Sequence, residues 1–330
     1  MILTFIKERA AQHRKRILLA DATDPRILNA AQIAIDEHLG EIELVGPIDE
    51  VRKAIDEFAP NLENIKIWSV ESFIETESLV LEYYERRKDK IHDLETARNE
   101  VLSDPLLFGA LVVRAGYADG LVAGSLSTTA NVIRAGIRGI GLAQGVRSLS
   151  SLFLMDFPAL REFRKESMTF AFADCAVIPK PDAHQLADIA ITTAETYHKL
   201  TEREPRVAML SFSTKASASS EETKIVALAT EIARERNPNL IIDGELQFDA
   251  AFVPEVANRK APGSPVGGEA NVFVFPNLDA GNIGYKIAER LGMGQAIGPI
   301  LQGLDKPMND LSRGASIDDI VTMVAVTGVM

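Results

Sequence analysis

The chain has 330 residues, with 35 basic against 47 acidic side chains and a formal net charge of −12. Hydrophobic residues make up 46% and charged residues 25%, which excludes a disordered chain, because apolar surface is ample to offset chain entropy. A single cysteine and 22 glycines exclude a disulfide-stapled or collagen-like chain, and the acidic balance argues against nucleic acid as a partner.

Arg16–Asp21 (RILLAD) reads as a buried strand. Asp24-Pro25 follows, a capping residue and then proline at the first helical position. Ile27, Leu28, Ala31, Ala34 and Ile35 then share one helical face, and Gly40 stops the helix. Ile42–Val45 is a second strand ended by Gly46-Pro47, Val51–Phe58 is a helix, and Ile65–Ser69 is a third strand. Two long charged helices are expected around Glu75–Lys90 and Leu94–Ala115, then a buried strand at Gly120–Gly124. Further strands fall at Met168–Ala173, Val207–Phe212, Leu240–Asp243, Val272–Phe275 and Ala296–Leu301. Helices at Asp182–Leu200, Glu221–Arg236 and Ala280–Leu291 lie among them. The apolar tail Ile320–Met330 falls short of the roughly 20 residues a bilayer requires and reads as a terminal core helix. The first nine residues place their charges after their apolar side chains, the reverse of a secretory leader, so a cytoplasmic protein without a membrane partner is expected.

Strand-helix alternation predicts an α/β fold of two domains, with mostly parallel sheets flanked by helices and a cleft between the domains. The crossing point is expected near Gly145–Ser151. In such sheets ligands bind beyond the carboxyl ends of the strands. After Gly120–Gly124 come Ser125, Leu126, Ser127, Thr128 and Thr129, then a helical stretch carrying Arg134 and Arg138. Free N–H groups at a helix start, together with arginines, suit a phosphate, and plain N-capping accounts for the hydroxyls equally well. A second loop, Ser213–Ser220, sets serines and threonines around Lys215. It suits a phosphate or another polar ligand, or else a solvated loop that caps the helix at Glu221. Neither loop has P-loop spacing. Gly139, Gly141 and Gly145 imitate a dinucleotide fingerprint, but the spacing is one residue too long and no strand precedes it. Pro262–Gly268 is either an ordinary surface loop or a mobile flap. Ser316-x-x-Asp319 fits a capping box at the start of the last helix. The histidines are scattered and no metal-ligand spacing occurs, so no metal is expected. Asp243, Glu245 and Asp249 are better read as structural hydrogen-bonding groups than as a cation site.

The segments Asp119–Ser125 with Thr129 and Arg134, Asp174–Val177 with Gln185–Ala190, Leu210–Lys215, Asp243–Pro254, Lys260–Pro265, Asn271–Pro276, Gly281–Lys286 and Asn309–Gly314 together resemble those of one family, the phosphate acetyltransferase (phosphotransacetylase) family of acetyl/butyryl phosphate transferases. The likeness runs from about Lys15 to the C-terminus, and Asp243–Pro254 and Asn309–Gly314 mark the acetyl-type members. The resemblance implies the isocitrate/isopropylmalate dehydrogenase-like fold and a commonly homodimeric enzyme. It also implies reversible acetyl transfer between acetyl-CoA and phosphate. Coenzyme A and acetyl phosphate are then substrates, and no cofactor is held permanently. The C-terminal segment is expected to return to the first domain, giving 1–147 plus 300–330 for one domain and 148–299 for the other. By motif position, Ser312 and Arg313 lie at the reacting group and Asp319 is the base. Arg87 and Arg134 bind substrate, with Arg86 a rival for Arg87, and Ser127, Thr128, Thr129, Ser213 and Lys215 are the loop residues expected to contact coenzyme A or phosphate.

The chemistry sets three tasks: the thiol must lose a proton, the developing oxyanion needs donors, and the departing phosphate needs positive charge. A carboxylate, a hydroxyl or backbone N–H, and an arginine suit them in turn. Cys175 with His184 offers a rival two-step route through an acyl-enzyme, but a lone cysteine is more commonly buried and inert. Two further readings compete: a nicotinamide-dependent decarboxylating dehydrogenase, for which no acidic metal cluster or adenosine loop is found, and an acyl-CoA sensor, against which Ser312, Arg313 and Asp319 are all present.

Overall fold

The computed structural model describes residues 2–157 and 169–330. One compact unit comprises Leu3–Gln144 and Leu304–Met330, and the other contains Gly145–Gly303. In chain order, the strands among the described residues are β1 (Arg16–Leu19), β2 (Glu41–Val45), β3 (Ile67–Trp68), β4 (Gly120–Ala123), β5 (Ser150–Asp156), β6 (Thr169–Ala173), β7 (Arg206–Leu210), β8 (Ile241–Leu246), β9 (Val272–Val274), β10 (Gln295–Gln302) and β11 (Met308–Asp310). Met168, expected to open β6, lies outside the described residues. Among the described residues no helix is long and apolar enough to cross a membrane.

The first unit holds a five-stranded sheet in the order β11-β4-β1-β2-β3, parallel throughout. Ile17, Leu18 and Leu19 of β1 and every residue of β4 are buried, as strands covered on both faces require. Asp24 caps the helix Pro25–Asp36 by accepting from the Arg26 N–H at 2.9 Å. The terminal helix Ile317–Val329 is buried from Ile320 onward and presses on β4, where a Cβ at Gly120 would lie 2.5 Å from Thr327 Cγ2. Strand order reverses between β1 and β4, so their carboxyl ends open onto the crevice where sheets of this kind bind ligands.

The long helix expected over Leu94–Ala115 is two helices, Leu94–Ser103 and Pro105–Arg114. Pro105 forces the residue before it out of the helical region, and Asp104 sits at φ −126°, ψ 95°. From there its carboxylate caps the second helix, accepting from the N–H groups of Leu106 at 3.0 Å and Leu107 at 3.2 Å.

The second unit holds a six-stranded sheet in the order β10-β5-β6-β9-β7-β8. The β6-β9-β7-β8 portion is parallel, whereas β10, β5 and β6 pair antiparallel. Sequence reading did not pick out β5, all seven of whose residues are buried. Its polar ends are satisfied internally: Ser151 donates to Asp174 Oδ1, and Asp156 accepts from the Thr169 hydroxyl at 3.0 Å. Phe153, Phe157, Phe170, Phe172 and Phe273 fill the core on one face. Capping boxes start the helices Ala183–Thr201, from Asp182, and Glu221–Arg236, from Ser220.

Candidate active site

The first unit gathers most of the expected site residues at the carboxyl ends of β1, β4 and β11. Asp21 lies just past the end of β1, in the left-handed region at φ 55°. Its carboxylate accepts from the N–H groups of Gly124 at 2.9 Å, Leu126 at 3.3 Å and Ser127 at 3.4 Å, and from the Ser127 hydroxyl at 2.8 Å. The loop after β4 is therefore wrapped around a carboxylate. Thr128 caps the short helix Thr129–Ala135 by accepting from the Asn131 N–H, and Thr129 donates its hydroxyl to Asp310 Oδ2 at 2.7 Å. Arg134 stands exposed beyond them, bonded only to the Asn131 side chain among the described residues. It lines a cavity of about 400 Å³ with Asp21, Thr23, Pro47, Asp104 and Ser127.

Arg134 also lines a second cavity, of about 580 Å³, with Arg87, Lys90, Ile133, Ile137 and Arg138. Arg138 is neutralised there: it donates to Glu100 and to the Tyr83 hydroxyl, which itself donates to Glu100 at 2.6 Å. Burial, with Glu100 beside it, pushes the Tyr83 hydroxyl up to about 12, so it stays a proton donor. Arg87 lies over the Tyr83 ring at 5.7 Å and has no carboxylate partner among the described residues. Arg86 faces elsewhere, donating to the carbonyl oxygen of Gly139 at 2.7 Å, while Arg114 donates to that of Ile140. The two adjacent arginines thus divide their work: Arg86 holds the turn Gly136–Ile140, and Arg87 faces the cavity. In that turn Gly139 packs so closely that a Cβ would lie 2.5 Å from Ala110 Cβ, which gives this glycine a packing role.

β11 leads directly into Leu311, Ser312 and Arg313. The Leu311 N–H donates to the Ala123 carbonyl at 2.7 Å, and Ser312 Oγ accepts from the Gly314 N–H at 3.2 Å. Both Ser312 and Arg313 are exposed. Their backbone is held by a residue the sequence reading passed over. Arg26 donates to the carbonyl oxygens of Arg313 at 2.8 Å, Ala315 at 2.9 Å and Ser125 at 3.1 Å, and pairs with Asp24 at 2.7 Å. Burial acts to raise the pKa of Asp24, but the hydrogen bonds from Arg26 outweigh it and hold the carboxyl below its ordinary value. One guanidinium therefore ties the loop after β4 to the turn after β11. Asp319 forms the expected capping box, its Oδ2 accepting from the Ser316 N–H at 2.9 Å and the Ser316 hydroxyl at 2.8 Å. Its Oδ1 makes no hydrogen bond among the described residues.

Asp310 lies within the Asn309–Gly314 segment. It is 2% exposed, and its Oδ1 has no hydrogen-bond partner among the described residues. Burial, with Asp21 adding to it, pushes its carboxyl up to about 6.

Ser213, which is buried, and Lys215, which is exposed, belong to the second unit and pair with its own carboxylates. Ser213 donates to Glu245 Oε1 at 2.8 Å, and Lys215 and Arg234 both donate to Asp243 Oδ1. Burial opposes ionisation of Asp243, but Lys215 beside it keeps its carboxyl below the ordinary range. Glu245 accepts from Ser213 and the Ala216 N–H, and Asp249 pairs with Lys260 at 2.8 Å, so the three carboxylates have separate partners. Cys175 is fully buried, and burial, with Asp174 adjacent, pushes its thiol well above the ordinary value, while His184 is exposed. The Pro262–Gly268 loop is pinned by buried Val266 and by Gly268, where a Cβ would lie 2.5 Å from the Pro254 nitrogen.

A family model described as Phosphate acetyl/butaryl transferase matches residues 1–328. A phosphate acetyltransferase of Thermoanaerobacterium thermosaccharolyticum is 47% identical over 329 residues, covering 99% of this chain and 98% of that one. A phosphotransacetylase from Streptococcus pyogenes superposes with a TM-score of 0.91 at 41% identity, covering 99% of this chain and 97% of that one. EutD phosphotransacetylase from Staphylococcus aureus superposes with a TM-score of 0.89 at 38% identity, with the same coverage.

Proposed function

Because the chain belongs to the phosphate acetyl/butaryl transferase family, we propose that it transfers an acetyl group reversibly between acetyl-CoA and inorganic phosphate. The observation that carries this is the turn after β11, where exposed Ser312 and Arg313 are braced by Arg26 against the loop that leads to Arg134. In the thioester-forming direction, Asp319 takes the proton of the coenzyme A thiol on its open oxygen. The sulfur attacks the carbonyl carbon of acetyl phosphate, and the C–O bond to phosphate breaks. Ser312 donates to the developing oxyanion, and Arg313 offsets the charge on the departing phosphate. Arg87 and Arg134, facing one cavity without carboxylate partners among the described residues, hold the polyanionic substrate. Ser127, Thr128 and Thr129 act mainly by shaping the loop beneath Arg134. Ser213 and Lys215 serve by holding their own loop on Glu245 and Asp243.

The transfer is direct. Cys175 is buried with a raised pKa, which suppresses the thiolate an acyl-enzyme route requires. Coenzyme A is a substrate, no permanently held cofactor enters the reaction, and the working form is a homodimer, which light scattering checks. The function is tested by following thioester absorbance in the ultraviolet with coenzyme A and acetyl, propionyl or butyryl phosphate. Acetyl phosphate is expected to give the highest kcat/KM. Absence of thioester with all three sinks the assignment.

A further inference from the structure

We propose that Asp310 is a positioning residue for the acyl transfer, its carboxylate locking the helix that bears Arg134 to the strand that runs on into Ser312 and Arg313. The proposal rests on the transferase reading above. Asp310 ends β11 in register with Ala123 of β4, and its Oδ2 accepts the Thr129 hydroxyl at 2.7 Å. Thr129 is the first residue of the helix Thr129–Ala135, and Arg134 lies near that helix's other end. Ser312 and Arg313 follow Asp310 along the chain. This side chain therefore helps to set the distance between the cation on the helix and the cation on the turn, beside the backbone ties that Arg26 and Leu311 make between the two loops.

The surroundings are built to admit it. Gly124 faces Asp310 at φ +116°, and a Cβ there would lie 2.5 Å from Asp310 Oδ1 and 2.6 Å from the Leu311 carbonyl oxygen. Asp21 grips the same loop through Gly124 and Ser127. A buried carboxylate oxygen without a donor costs stability that an apolar side chain would not. The observed return for that cost is the bond to Thr129, which fixes the helix. A side chain that merely filled space would not reach Thr129.

The test uses the full chain with Asp310→Ala, Asp310→Asn, Thr129→Val and the Asp310→Ala/Thr129→Val double variant, each verified as folded by circular dichroism. Asp310→Ala and Thr129→Val are expected to raise KM for coenzyme A about ten-fold with kcat within about three-fold, the scale of one charge-assisted hydrogen bond. Asp310→Asn keeps an acceptor oxygen for Thr129 and is expected to restore KM to within about three-fold of the parent. The double variant is expected to be no worse than the worse single one, because both remove the same contact. If Asp310→Ala does not fold, Thr129→Val against Asp310→Asn still decides. An active parent whose folded variants keep an unchanged KM, or lose it additively, overturns the positioning role alone. A parent that forms no thioester overturns the transferase reading, and this proposal with it.

Discussion

Asp319 accepts two hydrogen bonds from Ser316 on Oδ2, which orients the carboxylate and leaves Oδ1 for a proton. Capping and catalysis, which compete as readings of Ser316-x-x-Asp319 in the sequence, are compatible in the structure because they use different oxygens. Asp319→Asn is expected to lower kcat by about 10²–10⁴-fold, the usual worth of a general base, with a small change in KM by steady-state kinetics. Near-normal turnover in that variant, beside an inactive Arg313→Ala, would leave thiolate stabilisation by Arg313 as the whole of the activation. Cys175→Ala is expected to retain full activity, which the same assay checks. Ser312, Arg313 and Asp319 were singled out by motif position in the family resemblance; what their own spacing made legible was the capping box at Ser316 and Asp319, which the structure forms. The partners of Ser213 and Lys215 were not legible: Glu245 and Asp243 stand on a strand about 30 residues further on, and no local spacing announces that contact. Asp310 was hidden for the same reason, since its meaning comes from Thr129 on another element.

At the scale of elements, the site depends on how two loops are held together. Arg26 sits in the first turn of its helix, where sequence reading saw only a cap and a proline. Its guanidinium supplies donors to carbonyl oxygens on both loops. Arg26→Ala is expected to cost about 1–3 kcal/mol of stability, through its lost hydrogen bonds to three carbonyls, and to reduce kcat/KM by about ten-fold or more as both loops loosen. Calorimetry and kinetics on the same preparation separate the two effects. Gly124→Ala attacks the same junction from within. A methyl group 2.5 Å from Asp310 Oδ1, on backbone at φ +116°, is expected to cost about 2–4 kcal/mol, read from the denaturation midpoint. Element boundaries were legible where capping chemistry marks them, as at Asp24-Pro25 and Ser220. They were lost where a proline divides one amphipathic pattern, as at Pro105.

For the whole molecule, strand-helix alternation made the α/β class legible. The antiparallel edge of the six-stranded sheet was not, because the direction of β10 and β5 is a long-range property. A second whole-molecule property, the pH dependence of stability, follows from three buried carboxylates of opposite tendency. Asp24 and Asp243 have lowered pKa values, so their contribution is present above the ordinary carboxylate range and is lost as pH falls through their folded-state values. Asp310 behaves the other way. Its carboxyl rises from 3.8 to about 6 because burial, and then Asp21 at the end of β1, oppose its charge. The folded chain therefore holds this proton more tightly than the unfolded chain between those values. Its contribution is complete below about pH 4 and is lost as pH climbs through about 6. A shift of roughly two pH units corresponds to about 3 kcal/mol by linkage, an upper figure for a group with a hydrogen-bonding neighbour. Asp310→Asn removes the titration while keeping the shape. The difference in melting temperature between variant and parent is therefore expected to move in favour of the variant as pH is raised from 5 to 7.5, under matched salt. A difference that stays flat across that range would mean that Asp310 ionises no differently in the folded and unfolded chains.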